Sequence, residues 1–142
     1  MTFERNIVIS NDTAELAMVR DSVREGIESS GFPLKLCNRV TIAVDEAITN
    51  VIEHAFPDVP AGKGKIDVVI RIDAKRFRIE MVDDGMLHFD PRKCDTVDIE
   101  QHVSSGRDSG LGVFLMRRIM DEVEYAFRKG GRNRLVMVKY AD

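Results

Sequence analysis

Apolar residues along the chain recur at every second position in some stretches and at every third or fourth in others. The changes between these two periods mark its elements. Phe3, Arg5, Ile7 and Ile9 alternate with mostly polar neighbours, broken at Val8, which predicts a half-buried first strand. Asp12 followed by Glu15 has the form of a helix N-cap with its reciprocal third residue, and Leu16, Val19, Val23 and Ile27 then make one apolar stripe up to Gly31. Pro33 can open a second helix, whose Leu36, Val40, Ala43, Val44, Ala47, Ile48, Val51 and Ile52 keep helical spacing until Pro57 stops it.

After the Pro-, Gly- and Lys-rich stretch 58–65 the period returns to two. Ile66, Val68, Ile70 and Ile72 alternate as a strand, residues 73–76 read as a turn, and Phe77, Ile79 and Met81 form the apolar side of a strand ending in Asp83-Asp84-Gly85. From Arg92 to Ser109 apolar periodicity fades over a length unusual for a compact domain, so this segment reads as a lid or binding loop. Helical spacing resumes from Leu111 to Glu122. Val123, Tyr125 and Phe127 then alternate, Gly130 and Gly131 turn the chain, and Leu135 to Tyr140 makes the last strand. This order predicts an α+β, two-layer sandwich with helices on one face of a mixed, mostly antiparallel sheet.

Composition narrows the class. A chain of 142 residues is near the ~150 of one domain, so residues 1–142 are expected to form a single unit. A net charge of -3 supplies no basic field for a phosphate backbone, which argues against sequence-independent nucleic-acid binding. Met1 to Ile9 mixes charged and apolar residues without an apolar core, and no segment is long and apolar enough to span a bilayer. Cys37 and Cys94 lack companions at metal-ligand spacing, so reduced thiols in a cytoplasm are expected.

Three motifs can carry chemistry. Glu46, Asn50 and His54 recur at i, i+4 and i+8 on the second helix and so share a face. A carboxylate and a carboxamide one turn apart can orient a hydroxyl and hold a hydrated hard cation. Asp83, at the end of an apolar strand, suits an amine donor such as the 6-amino group of adenine, and Gly85 permits a sharp turn after it. Gly110-Leu111-Gly112 opens a helix after a polar loop, so backbone N–H groups and the positive helix end can receive a phosphate, with Lys93 or Arg107 offsetting its charge. Each motif alone also has an ordinary structural reading: a solvated helix face closed by His54, a plain Asp-Asp-Gly turn, glycines at a helix start.

Their order and combination change the weighting. Asp45-Glu46-Ala47-Ile48-Thr49-Asn50 with His54-Ala55-Phe56, then Asp83-Asp84-Gly85 with Phe89-Asp90-Pro91, then Ser109-Gly110-Leu111-Gly112 with Leu115-Met116 and Met120-Asp121-Glu122-Val123, together resemble the anti-sigma-factor serine/threonine kinases of the GHKL ATPase superfamily. The likeness covers nearly the whole chain, the lid and the first helix matching least.

The resemblance implies a GHKL ATPase fold with ATP and magnesium as cofactors. Glu46 would be the general base toward a serine or threonine hydroxyl, Asn50 the magnesium ligand, and Asp83 the adenine-binding residue beside Gly85. Arg107, Ser109, Gly110, Leu111 and Gly112 would border the nucleotide, with the two glycines under the phosphates and an ATP lid over about 91–109. It also implies a homodimer that sequesters a sigma factor and phosphorylates a small antagonist competing for it, with Arg20 on the first helix near the partner-contacting region.

Two other readings share the nucleotide site. A non-catalytic ATP-binding module would hold a partner without phosphorylating it, against which stands the retention of Glu46 beside Asn50. The detached catalytic domain of a histidine kinase would need a dimerising helical pair, for which this chain has no room.

Overall fold

In the computed structural model, which describes residues 2–56, 58–85, 109–127 and 132–142 (backbone alone for 109–113 and 127), the alternating segments become five strands of one sheet. They are β1 (Phe3–Ser10), β2 (Lys65–Ile72), β3 (Arg76–Asp83), β4 (Glu122–Phe127) and β5 (Asn133–Tyr140). Their order is β1-β2-β3-β5-β4, and every neighbouring pair is antiparallel. Among the described residues three α-helices accompany them: α1 (Leu16–Ser30), α2 (Cys37–His54) and α3 (Ser109–Ile119).

The period of two decides which way each strand faces. Register places Ile7, Val68, Met81 and Leu135 in one cross-strand row and Ile9, Ile66, Asp83 and Asn133 in the next. The first of these rows, together with Ile9 and Ile66, belongs to a core shared with Val19, Val23, Val40, Val44, Ile48 and Met116 of the helices, so the helices cover a single face of the sheet. α1 packs on β1 and β2, and α2 packs against both α1 and α3. The opposite face carries charge: Glu80 accepts hydrogen bonds from Arg78 at 3.2 Å and from Arg134 at 3.1 Å.

Helix ends follow local chemistry. Asp12 accepts from the Ala14 N–H at 2.9 Å and caps a 3-10 turn, Thr13–Glu15, that precedes α1. Glu15 does not complete the reciprocal box expected of it. Its carboxylate instead bonds the backbone N–H and hydroxyl of Ser10, tying the helix start to the end of β1. Gly31 ends α1 with φ 81°, a left-handed conformation cheap only for glycine. Pro33 is followed by a 3-10 turn, Leu34–Leu36, and α2 then runs to His54; Pro57 lies outside the described residues, as do Gly130 and Gly131.

The expected helix 111–122 is displaced. α3 spans Ser109–Ile119, because the sheet captures the residues just beyond it: the Asp121 N–H donates to Val138 O at 2.8 Å and its carboxylate accepts from the Tyr140 N–H at 2.7 Å. Long-range sheet bonds therefore win over one further helical turn.

Candidate functional site

The end of β3, the head of β5 and the last turns of α2 meet around one pocket. Asp83 is the final residue of β3 and faces the helices, with only 4% of its surface exposed. A buried carboxylate needs donors, and it has them: Oδ1 accepts from the Gly85 N–H at 2.9 Å and from Asn133 Nδ2 at 2.9 Å. Gly85 lies so close to α2 that a Cβ on it would stand 2.3 Å from the Ala55 carbonyl oxygen. The turn after β3 can pass under the helix only without a side chain.

Across from Asp83, α2 contributes Ala47, Asn50 and Val51 to the pocket, α3 contributes Met116, and β4 and β5 contribute Tyr125 and Leu135. The walls are largely apolar, with polar groups on Asp83, Asn50 and Tyr125, a composition suited to a flat ring bearing an amine. Asn50 is 4% exposed, and its Nδ2 has no hydrogen-bond partner among the described residues. Leaving a buried amide unpaired is costly, and a ligand would relieve that cost.

Glu46 sits one turn before Asn50 and is half-buried. Burial pushes its carboxyl above the ordinary glutamate range, and the charges of Asp45 and Glu53 push the same way. Asp45 in turn is held by Arg20 of α1, whose Nε donates to both carboxylate oxygens at 3.0 and 2.8 Å. His54 is half-buried, 3.9 Å from Glu53. The three motif residues of α2 thus do not form one solvated face: Asn50 is buried, and the other two are partly so.

The structure brings Asp83, Gly85 and Asn50 together, with Glu46 one helical turn away on α2. Arg20 joins through Asp45, beside Glu46 rather than on the pocket wall. Ser109, Gly110, Leu111 and Gly112 form the first turn of α3, where the first N–H groups of a helix lack intrahelical partners. Arg107, Lys93 and the expected lid to residue 108 lie outside the described residues. Asn133 is the residue that sequence reasoning passes over. An Asn at the head of a strand reads as a turn residue, and only the register Asp83↔Asn133 reveals what it touches.

Among the described residues no cluster of three His, Cys, Asp or Glu could hold a metal. Of the two ends of the buried Asn50 amide, the oxygen could serve a hard cation, whereas the unpaired Nδ2 is a donor that calls for an acceptor. No helix among the described residues is long and apolar enough to cross a membrane.

Comparison with known proteins bears on the family and the fold. The family model for the histidine kinase-like ATPase domain matches residues 9–139. The serine-protein kinase RsbW of Listeria monocytogenes serovar 1/2a is 32% identical over 120 residues, covering 81% of this chain and 73% of that protein. The serine-protein kinase RsbW of Bacillus thuringiensis strain Al Hakam is 28% identical over 129 residues, covering 88% and 77%. Among solved structures, one of the RsbU and RsbW domains of a Mycobacterium tuberculosis protein superposes with TM-score 0.65 at 15% identity. That match covers 96% of this chain but 32% of the longer one, and it speaks to the fold alone.

Proposed function

Because the chain belongs to the histidine kinase-like ATPase family, and within it to the anti-sigma-factor kinases, we propose that it is an ATP-dependent protein serine/threonine kinase that sequesters a sigma factor and phosphorylates a small antagonist of that sequestration. It acts in the cytoplasm as a homodimer, with residues 1–142 forming one ATPase domain. The observation that carries this reading is the buried Asp83 carboxylate, fixed by two donors on the wall of an apolar pocket that Asn50 also lines.

Each residue has a task that its surroundings support. Asp83 accepts the 6-amino group of adenine while the apolar walls take the faces of the ring. Gly85 shapes the adenine pocket by letting the turn after β3 pass close under Ala55. The Ser109–Gly112 turn offers N–H groups to the phosphates, and Asn50 offers its amide oxygen to magnesium. Bound magnesium would neutralise charge on the phosphates. Glu46 accepts the proton of the substrate hydroxyl as its oxygen bonds to the γ-phosphorus and the bond from that phosphorus to ADP breaks. The burial that raises the pKa of Glu46 also makes it the stronger base. Arg20, paired with Asp45 at the surface, lies where a protein partner could compete for the same ion pair.

Calorimetric titration with Mg-ATP tests the nucleotide reading. The chain is expected to bind ATP and ADP, and Asp83→Ala to bind both at least about tenfold more weakly, the cost of one charge-assisted hydrogen bond in a partly dry pocket. Equal isotherms for the variant and the parent would remove Asp83 from the adenine site.

A further inference from the structure

At the end of α2 opposite Asn50, a cleft of about 330 Å³ opens between the start of the helix and the last residues of the sheet. Lys35 and Arg39 stand on one side of it, with Lys139, Tyr140 and Asp142 on the other. Lys139 is engaged by Asp121 at 3.4 Å. Lys35 and Arg39 are exposed and form no ion pair or hydrogen bond among the described residues. Asp142 lines the same cleft without pairing with either of them.

For stability these two cations are badly placed. The first turn of α2 has no acidic residue and its start has no side-chain cap, yet Arg39 lies in that turn and Lys35 just before it. Positive charge there is repelled by the positive end of the helix, so the fold alone gives no reason for it, whereas an anion from outside does. Apolar surface borders the charges: Leu34 is 65% exposed and Tyr140 40%. An acidic protein segment that also carries an aliphatic residue complements this surface in both charge and polarity.

The surface continues toward the catalytic end of the helix. Arg39, Ile42 and Glu46 recur at i, i+3 and i+7 and so share a face of α2, with Ile42 46% exposed between the two charged residues. Seven helical residues cover ~10 Å, which an extended chain spans in about three residues, and Lys35 lies roughly one turn further away. We propose that the cleft docks an acidic segment of the protein that receives the phosphate, with its acidic residues about three to five positions from the accepting serine or threonine. Lys35 and Arg39 are then specificity-determining residues for the protein substrate. The link to the hydroxyl rests on Glu46 being the general base.

Two experiments test the docking site. In the first, nuclear magnetic resonance follows the amide signals of the labelled chain during titration with the acetylated peptide Glu-Glu-Leu-Glu-Glu, its Lys-Lys-Leu-Lys-Lys counterpart and inorganic phosphate. The acidic peptide is expected to shift the signals of residues 34–39 and 139–142, and to lose that effect in the double variant Lys35→Glu/Arg39→Glu. The proposal is overturned if those signals stay still, if the basic peptide moves them equally, or if phosphate moves them as much as the acidic peptide does.

In the second, steady-state phosphorylation of a candidate antagonist protein from the same organism is compared for the parent, the double variant and Asp142→Asn. KM for the antagonist should rise roughly tenfold in the double variant while kcat and ATP affinity stay as in the parent, and the rise should shrink at high salt. Asp142→Asn removes a charge that repels the acidic segment and should lower KM. The double variant should melt no lower than the parent, because glutamates suit the start of a helix. A KM that does not change, or one that rises together with a lower melting temperature, overturns the docking role and leaves the nucleotide site and Glu46 standing. A parent chain that phosphorylates nothing overturns the kinase reading, and with it the link to the hydroxyl; the peptide titration then decides by itself whether the cleft takes an acidic segment.

Discussion

Glu46 and Glu80 are glutamates displaced in opposite directions, and the contrast separates chemistry from stability at the scale of single residues. Glu46 is raised by burial and by Asp45 and Glu53, so its charged form is disfavoured in the fold relative to the unfolded chain. Stability associated with it is complete below the ordinary glutamate range and is lost as pH rises through the raised value. Glu46→Gln removes that loss: at neutral pH the variant should melt at or above the parent temperature while phosphorylating the antagonist about a hundredfold more slowly. A calorimetric melt beside a phosphorylation assay checks both halves, and a variant that is less stable and equally active contradicts the assignment. Burial would raise Glu80 as well, but the bonds from Arg134 and Arg78 outweigh it and hold its carboxyl low. Its contribution is present above the unfolded value and disappears as pH falls through the folded one. Glu80→Gln should cost about 1 kcal/mol at pH 7, the size of a solvent-screened ion pair, and the gap from the parent should close on acidification below about pH 5. A gap independent of pH would show that the ion pairs are not its source.

At the scale of elements, two close approaches set the architecture around the site. Gly85 passes under the end of α2 with no room for a methyl group, so Gly85→Ala must push β3 and α2 apart. A loss of about 1–3 kcal/mol is expected from the overlap, together with weaker ATP binding, and differential scanning calorimetry paired with nucleotide titration reads both. Unchanged melting would mean that the turn has slack the geometry does not show. Asn11 is 5% exposed and organises the connection to β2: its Oδ1 accepts from the N–H groups of Gly62 at 3.0 Å and Gly64 at 2.8 Å, and its Nδ2 donates to Val59 O at 3.3 Å. Asn11→Ala leaves two buried or part-buried N–H groups without that acceptor, which should cost about 2 kcal/mol in chemical denaturation without changing the affinity for ATP. Were stability unaltered, the loop would be held by something other than Asn11.

These elements also show what can be read from residues in order. The strand at 65–72 is legible because Ile66, Val68, Ile70 and Ile72 all turn one way and are fully buried, and α1 and α2 are legible from stripes that reach the same core. The end of α3 is not, because Asp121 obeys hydrogen bonds to Val138 and Tyr140 that arrive from far along the chain. Asp83, Asn50 and Gly85 stand out in the sequence because motif and element boundary coincide. Asn133 and Asn11 do not, since each acts through a partner about 50 residues away in the chain that only the sheet register or the fold brings near.

At the scale of the whole molecule, the sheet supplies Asp83, α2 supplies Asn50 and Glu46, and α3 opens at the residues expected to hold phosphate. The central claim is that this assembly transfers phosphate to a protein hydroxyl, and one measurement addresses it directly. The chain is incubated with Mg-ATP and a candidate antagonist protein from the same organism, and mass spectrometry follows the rate and position of added phosphate for the parent, Glu46→Gln and Asn50→Ala. The predicted result is a single phosphoserine or phosphothreonine on the antagonist with the parent chain, slowed roughly a hundredfold by Glu46→Gln and lost with Asn50→Ala as magnesium-dependent nucleotide affinity falls. A parent chain that binds ATP yet phosphorylates nothing, or a Glu46→Gln variant as fast as the parent, would contradict it.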